Sequence, residues 1–403
     1  METQYNENDV FDITFTTETN VTENLDLNFT LSNGGFNTSD FTGLTSVTIP
    51  NESNTIASTI TLVDDTDDEG DEVIKITLSA LPTDFIALNN DVEIRVVDND
   101  FVVAPWGIPT EPTFGIVQST QPVDYYDSLD GLSDVNLKQA LQNIIADPSI
   151  VRAQTYSDVI DILKEADQNP ANSNQVWLVY TEQGRPKLDF QTGGGSNVGK
   201  WNREHTYPRS RGGFYSIEDD DIADGIDVFW ETKADSLRHG NSDAHALRAV
   251  DGPENSSRGN DNYGPSEYDG PALNMGSFKG DVARSVLYMT VRYNGLEVVD
   301  GYPNQDPDGF LGDLATILDW HRNDPPDDFE MNRNNIVYNW QFNRNPFIDY
   351  PDLVEYIWGT QVGYIWNQPL NNENIEDLNI QIYPNPTTQN VNFKVLKAFS
   401  YTH

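Results

Sequence analysis

Apolar and polar residues alternate in short runs through the first quarter of the chain. The runs are Asp26–Leu31, Val47–Ile49, Ala57–Leu62, Val73–Leu78 and Val92–Val97, with residues typical of turns between them. Alternation with a period of two places one face of each segment in a core, as in a half-buried β-strand. The regular spacing of these runs predicts an all-β sandwich over residues 1–103.

Beyond residue 123 the period changes, and apolar residues recur at three- and four-residue intervals. Helices are predicted at Leu132–Ile145, Tyr156–Glu165, Asp281–Tyr293 and Leu311–Trp320, the first capped by Ser133 or Asp134 and the third strongly amphipathic. Val176–Tyr180 is predicted to be a strand. Strands among helices predict an α+β domain over residues 123–366. Proline-rich residues 104–122 are predicted to be a linker, and residues 367–403 a tail too short for a domain.

The chain is strongly acidic, with 65 Asp and Glu against 23 Lys and Arg and a net charge of -42. Such a charge by itself argues against nucleic-acid binding, because phosphates are attracted to basic surfaces. The distribution weakens this argument, since residues 1–103 contain two basic residues and residues 200–258 contain eight. The absence of cysteine excludes disulfides, thiolate metal ligands and thiol nucleophiles.

No run of about 20 apolar residues occurs, so no membrane insertion is predicted. The first residues lack the basic end and apolar core of a signal peptide. The protein is therefore either cytoplasmic or begins, in this sequence, after a signal has been removed.

Two segments of the basic stretch carry residues suited to phosphodiester hydrolysis: WNREHTYPRS (201–210) and DAHALRAVDGPENSSRGN (243–260). A neutral histidine can take a proton from water near pH 7, which makes His205 a candidate general base. Mg²⁺ accepts carboxylate and amide oxygens, which Glu204 and Asn255 provide. The second segment predicts a strand, a turn and then a helix capped by Asp251, with Arg258 one turn after Asn255.

Adjacent residues of a regular strand point to opposite faces, which constrains Glu204 and His205. We therefore expect the strand to end or bulge at this pair, and Pro208 favours an ending. His245 is expected in the second strand as a supporting group. His239 and His321 are expected to be buried and hydrogen-bonded, and Arg333 and Arg344 to bind loop carbonyls.

Together with KGDVARSVLYMTVRY (279–293), NRNNIVYNWQFNRNPFIDYP (332–351) and YYDSLDGLSDVNLKQALQNII (125–145), these motifs resemble endonuclease I of the ββα-metal (His-Me finger) nucleases. The resemblance implies a ββα-metal core, with His205 as general base and Glu204 and Asn255 as ligands of Mg²⁺, or of Mn²⁺ or Ca²⁺. It implies phosphate contacts through Arg203 and Arg258, with Arg209, Arg211 and Arg284 as weaker candidates. Asp243 and His245 are expected to support the site.

Two further segments resemble known families. DDTDDEGDEVIKITLS (64–79) and EIRVVDND (93–100) resemble a Calx-beta domain, which implies Ca²⁺ binding by acidic turns; solvated turn residues are the alternative. The candidate ligands are Glu23, Asp67, Asp98 and Asp100. YPNPT (383–387) resembles the start of a type IX secretion sorting domain, the alternative being a stray strand with a proline turn. The resemblance implies export by the type IX secretion machinery to the cell surface or the medium.

The sequence therefore predicts a secreted, sequence-nonspecific, metal-dependent endonuclease acting on DNA, with RNA as a further substrate. One alternative is a calcium-dependent surface or matrix binding protein with a degenerate nuclease domain. Retention of Glu204, His205 and Asn255 counts against degeneration, because a degenerate site need not keep all three. Another alternative is a phosphatase or phosphodiesterase of small substrates.

Overall fold

The computed structural model describes residues 3–33, 35–90, 92–215, 230–305, 309–369, 380–383 and 392–395. The regular elements between Gln4 and Val97 are all strands. They are β1 (Gln4–Asn6), β2 (Val10–Thr16), β3 (Leu25–Leu31), β4 (Phe41–Gly43), β5 (Ser46–Ile49), β6 (Thr55–Leu62), β7 (Glu72–Leu78) and β8 (Val92–Val97).

These strands form two sheets, in the orders β1-β8-β7-β3-β5 and β2-β6-β4. Buried and exposed side chains alternate along β3, where Leu25, Leu27, Phe29 and Leu31 point inward. Apolar side chains from both sheets share one core, so the predicted β-rich N-terminal unit is confirmed. Three strands were missed: β1, β2 and β4. Strands β1 and β4 have three residues each, too few for an alternating pattern to show, whereas β2 does alternate and could have been predicted.

The second part mixes helices with short strands, as predicted. Its helices are α1 (Asp134–Ile145), α2 (Asp158–Ala166), α3 (Arg209–Gly212), α4 (Gly252–Arg258), α5 (Lys279–Arg292), α6 (Leu314–Asn323), α7 (Asp328–Gln341), α8 (Pro346–Asp349) and α9 (Leu353–Ile357). Its strands are β9 (Arg152–Ala153), β10 (Gln175–Leu178), β11 (Gln183–Pro186), β12 (Trp201–His205), β13 (Trp230–Glu231), β14 (Leu247–Asp251), β15 (Glu297–Val298) and β16 (Phe310–Leu311).

Helix α5 is the centre of this unit and packs against α1, α6 and α8. The sequence predicts an amphipathic helix here, but residues 280–292 are all buried. Its charged side chains are accommodated because they pair inside the protein: Arg284 with Glu330, and Asp281 with Arg248. Paired, hydrogen-bonded charges can be buried where isolated ones cannot.

The predicted linker contains no helix or strand, yet it lies against the second unit. The backbone N–H groups of Ile116 and Val117 both donate to the Asp328 carboxylate at 2.9 Å. The two units also meet directly, through Arg95 to Asp189 and through the Ser173 hydroxyl to Asp68. The domain boundaries themselves stay predictions.

In the tail, β17 (Ile380–Tyr383) pairs antiparallel with β18 (Asn392–Val395). The predicted sorting motif lies outside the described residues, except for Tyr383. None of the helices in the described ranges is long and apolar enough to cross a membrane.

Three buried histidines make the stability of this fold sensitive to acid. Burial lowers the pKa of His239, His245 and His321 to about 4, so the folded protein keeps them neutral where the unfolded chain binds protons. The fold keeps this contribution to its stability above pH 6.5. It is lost as the pH falls toward 4, because the unfolded chain binds protons that the folded protein does not. We expect each histidine to cost on the order of 2 kcal/mol of unfolding free energy at pH 5.

The measurement is urea unfolding at pH 7.5 and pH 5 for the wild type and His245→Gln. The variant should lose less stability between the two pH values, because glutamine does not titrate. An unchanged pH dependence in the variant would contradict the neutral state assigned to His245.

Candidate active site

The two motifs meet in a strand pair followed by a helix. Strand β12 pairs antiparallel with β14, with Trp201 opposite Asp251 and His205 opposite Leu247. Helix α4 follows β14 directly, and the Asp251 carboxylate caps it by accepting the N–H of Glu254 at 3.1 Å. The predicted strand and capped helix are confirmed, but no turn separates them.

Alternation along β12 divides its side chains between two faces. Asn202 and Glu204 contact α4, through Asn255 and Arg258 respectively. Arg203 and His205 lie on the other face, and both contact the ring of Tyr156. The strand ends at His205, as the geometry of the adjacent pair requires. The structure thus brings Glu204 and Asn255 to one face, and His205 to the end of the other.

The Glu204 carboxylate is buried, with a relative exposure of 3%. The Tyr180 hydroxyl donates to its Oε1 at 2.7 Å, and the Arg258 Nε lies 3.1 Å from the same oxygen. Burial raises the pKa of Glu204 to about 7, although the Arg258 charge and the Tyr180 hydrogen bond both oppose this shift. Among the described residues, no donor contacts Oε2.

The Asn255 side chain has a defined orientation. Its Nδ2 donates to the Asn202 Oδ1 at 2.7 Å and to the backbone carbonyl of Arg203 at 3.2 Å. A carbonyl can only accept, so the amide nitrogen must face β12. The Asn255 Oδ1 then has no donor within the described ranges. An uncommitted carboxylate oxygen and an uncommitted amide oxygen on one face suit a hard divalent cation.

His205 is half-buried, and its Nε2 lies 3.0 Å from the carbonyl oxygen of Asn241. Because that carbonyl accepts, Nε2 carries the proton and Nδ1 keeps its lone pair. Burial, together with the nearby charges of Arg209 and Arg203, lowers the pKa of His205 to about 4, although the hydrogen bond to Asn241 opposes the shift. The ring is therefore neutral near pH 7, as a general base must be.

Two of the predicted phosphate contacts lie beside His205. Arg209 is exposed, with its Nε bonded to the carbonyl of Phe214 at 3.2 Å. Arg203 is half-buried, with its guanidinium carbon 3.4 Å from the centroid of the Tyr156 ring. Since both charges act on His205, both are near any phosphate that approaches this histidine.

The other three predicted arginine contacts are buried, which corrects the expectation. Arg211 donates to the backbone carbonyls of Asn260 and Pro303. Arg284 pairs with Glu330, and Arg258 pairs with Glu204. Each guanidinium is at most 3% exposed, because internal acceptors replace water. None of the three offers a free surface charge to a phosphate.

His245 does not lie in the second strand, so that expectation is wrong. It lies in a 3-10 helix (Ala244–Ala246) just before β14, because the Asp243 carboxylate accepts its backbone N–H. Asp243 also accepts from the hydroxyls of Tyr288 and Tyr293. These bonds anchor the segment that carries the Asn241 carbonyl, and in this indirect way the Asp243 region supports His205.

Four residues that surround the site were not predicted from the sequence: Tyr156, Tyr180, Asn202 and Asn241. Asn202 was detectable, because it lies two residues before Glu204 and so shares its face of β12. The other three lie in separate segments, and no local pattern links them to the motifs. By contrast, His239 and His321 are buried as predicted, and the His321 Nε2 lies 3.0 Å from the carbonyl oxygen of Pro351, but the His239 Nδ1 has no hydrogen-bond partner among the described residues. Arg333 binds the carbonyl of Ala244 at 2.7 Å, which lies in a 3-10 helix and not in a loop. Arg344 instead pairs with the Asp349 carboxylate.

In the N-terminal unit, carboxylate oxygens of Glu7, Asp98 and Asp100 lie within 4.8 Å of one another. Two of the predicted calcium ligands are in this group. Burial and the Asp98 charge raise the pKa of Asp100, and the charge of Asp67, a third predicted ligand, adds a smaller effect. Glu23 precedes β3, whose other end pairs with β7 near the acidic turn. Glu23 is thus at the opposite end of the unit, and Glu7 was missed.

A neutral histidine, two uncommitted oxygen ligands and surface guanidinium groups are the parts that phosphodiester hydrolysis needs. Comparisons with known proteins point to the same chemistry. The profile of the endonuclease I family matches residues 133–352, more than half of the chain. The chain therefore belongs to the endonuclease I family and is a nuclease.

Two relatives are extracellular ribonucleases. The one from Bacillus amyloliquefaciens is 37% identical over 263 residues, covering 60% of this chain and 81% of its own. The one from Bacillus subtilis (strain 168) is 37% identical over 254 residues, covering 58% and 78%. Among solved structures, the apo form of the Calx CBD1 domain aligns with 24% of this chain and 92% of its own, at 17% identity and a TM-score of 0.22.

The different positions of Arg258 and Arg209 predict different effects of removing them. Arg258→Met leaves the Glu204 carboxylate buried without its cation and should cost about 3 kcal/mol of unfolding free energy. Arg209→Ala removes an exposed side chain and should change stability by less than about 0.5 kcal/mol, while weakening nucleic-acid binding. Urea unfolding and oligonucleotide binding measure the two effects. Equal destabilisation by both variants would contradict the buried position of Arg258.

Proposed function

We propose that this protein is a secreted, metal-dependent endonuclease without sequence preference, which hydrolyses phosphodiester bonds in DNA and also accepts RNA. The observation that supports the proposal most strongly is the arrangement around β12. Glu204 and Asn255 each direct an uncommitted oxygen from one face, and neutral His205 ends the strand. The succession of β12, β14 and α4 supports a ββα-metal core in this part of the chain.

The residues divide the chemistry between them. His205 takes a proton from water through Nδ1, while its Nε2–H remains bonded to Asn241. Arg203 and Arg209 hold the phosphate next to that water. A divalent cation, Mg²⁺ in the first instance, held by Glu204 and Asn255 would balance the charge on the phosphate and the leaving oxygen.

Two further observations support the substrate and location. The relatives are named extracellular ribonucleases, which favours secretion and makes RNA a substrate to test beside DNA. Export by the type IX secretion machinery is proposed from the tail sequence alone. The membrane is not proposed as a partner.

The proposal predicts that the purified protein nicks supercoiled plasmid in Mg²⁺ and stops when EDTA is added. His205→Ala should lower the rate by about 10²–10⁴-fold, the usual contribution of a general base, without changing metal affinity. Gel assays on plasmid DNA and on a structureless RNA measure both activities, and His321→Ala serves as a control for loss of a buried histidine outside the site.

Two results would contradict the proposal. Failure to cut either polymer with Mg²⁺, Mn²⁺ or Ca²⁺ would favour the alternative of a binding protein with a degenerate nuclease domain. Full activity of His205→Ala would remove His205 from its role as base.

We also propose a Ca²⁺ site in the N-terminal unit, formed by Glu7, Asp98 and Asp100. Three carboxylates with oxygens this close repel one another, and burial together with the Asp98 charge raises the pKa of Glu7 to about 7. A hard cation with oxygen ligands would relieve this repulsion.

The calcium proposal predicts that Ca²⁺ raises the thermal midpoint of the protein, because a ligand that binds only the folded state stabilises it. At 100 times the dissociation constant the gain should be about 2.7 kcal/mol. Calorimetry in Ca²⁺ or EDTA measures it, with Glu23→Gln as a control that should keep the gain and Asp100→Asn as the variant that should lose it. A midpoint unaffected by Ca²⁺ would leave these acids as solvated turn residues.

A further inference from the structure

We propose that Tyr180 and Asn202 are positioning residues that determine which oxygen of Glu204 and which oxygen of Asn255 is presented to the divalent cation. The inference rests on the proposed function, because it assumes that these two side chains are the cation's ligands. Neither positioning residue touches the substrate or the cation in this scheme. Each acts through one ligand by occupying one of its two polar atoms.

The role of Tyr180 depends on the unequal contacts of the two carboxylate oxygens of Glu204. Both the hydroxyl of Tyr180 and the Nε of Arg258 contact Oε1, and this leaves Oε2 as the oxygen that can bind a cation. Arg258 alone would not fix the carboxylate, because its Nε lies at 3.1 Å without hydrogen-bond geometry. The Tyr180 hydroxyl, at 2.7 Å, is therefore the directional contact.

Tyr180 is itself held in place. The side chain is fully buried, and its hydroxyl lies 2.8 Å from that of Tyr263, which donates to the Thr206 carbonyl. Its backbone has a φ of 66°, a left-handed conformation that non-glycine residues seldom adopt. Such a conformation persists only where the surroundings enforce it, and it is often found near functional sites.

Asn202 acts in the same way on Asn255, the second proposed ligand. Asn202 accepts from the Asn255 Nδ2 through its Oδ1, and its own Nδ2 donates to Gln191 at 2.8 Å. This second bond fixes the orientation of the Asn202 amide, so that its oxygen faces α4. With the nitrogen of Asn255 held against β12, the oxygen of Asn255 is the atom left for a cation.

Because a bare carboxylate or amide can rotate, each lost contact should weaken cation binding without removing a ligand. Contacts that orient metal ligands contribute about 10–100-fold to metal affinity. We expect Tyr180→Phe and Asn202→Ala each to weaken Mn²⁺ binding by about 10-fold. The Mg²⁺ concentration for half-maximal plasmid nicking should rise similarly, while the rate at saturating Mg²⁺ stays within about 3-fold of the wild type.

The experiment is titration of the full chain with Mn²⁺ by calorimetry, with the thermal midpoint of every variant recorded. Tyr126→Phe is the matched control for Tyr180, because the buried Tyr126 hydroxyl donates to Asp349 at 2.8 Å and Arg344 binds the same oxygen. Asn197→Ala is the control for Asn202, because Asn197 contacts α4 through Ser256 and not through Asn255. Asn202→Asp keeps the acceptor oxygen and should restore Mn²⁺ affinity.

Glu204→Gln and Asn255→Ala distinguish failure of this inference from failure of the proposed function. If both abolish Mn²⁺ binding at the site while Tyr180→Phe and Asn202→Ala bind as the wild type does, the positioning roles are refuted and the metal site stands. If neither affects Mn²⁺ binding, the proposed metal site is itself wrong. Equal weakening by the controls Tyr126→Phe and Asn197→Ala would reduce both roles to general stability.

Discussion

The buried contact between the Glu204 carboxylate and the Arg258 guanidinium is the interaction on which the arrangement of the site depends. A buried carboxylate loses its hydration, and Arg258 replaces part of that loss with an opposite charge at 3.1 Å. Because the two residues belong to β12 and α4, the ion pair also holds the helix against the strand. That contact determines where Asn255, one turn earlier on α4, meets Asn202. The pairing of the buried Glu204 charge with Arg258 thus sets the positions of both candidate ligands, Glu204 and Asn255.

The same pairing of buried arginine with carboxylates recurs through the second unit and lowers the positive charge that its surface presents to a nucleic acid. Arg248 lies between Asp167 and Asp281, and Arg333 also binds Asp167. These guanidinium groups stabilise the interior and add nothing to the surface potential. If the site binds phosphate as proposed, the attraction depends on a few side chains near His205 and on the cation that the site is proposed to hold. Counting basic residues along a sequence overstates the positive charge that a substrate meets.

Local patterns predicted much of the fold and part of the site. Periodicity located α1, α2, α5 and α6 to within a few residues, and cap chemistry placed the start of α4, because these signals depend on neighbouring residues. The burial of Arg258, Arg211 and Arg284 was not predictable, since a guanidinium can be buried only where distant acceptors meet it. Likewise, Tyr180 contacts Glu204 only after β10 and β12 have packed into one unit. The position of His245 was not predicted, because the Asp243 carboxylate accepts its backbone N–H and caps a 3-10 helix where a strand was expected.

The adjacent pair Glu204 and His205 also limits how a substrate can lie on the enzyme. Their side chains leave β12 on opposite faces, so a phosphate that contacts both side chains cannot lie flat on either face of the strand. Strand β14 covers one edge of β12, and the backbone of residues 190 and 191 contacts the other edge at Trp201, the start of the strand. If both side chains act on one phosphate, it must cross the edge opposite β14 close to the end of the strand. Arg203, on the His205 face, and Arg209, four residues beyond the end of β12, flank that point. Alternation along β12 thus places Arg203 on the His205 face, whereas Arg209 reaches the same point from the start of α3.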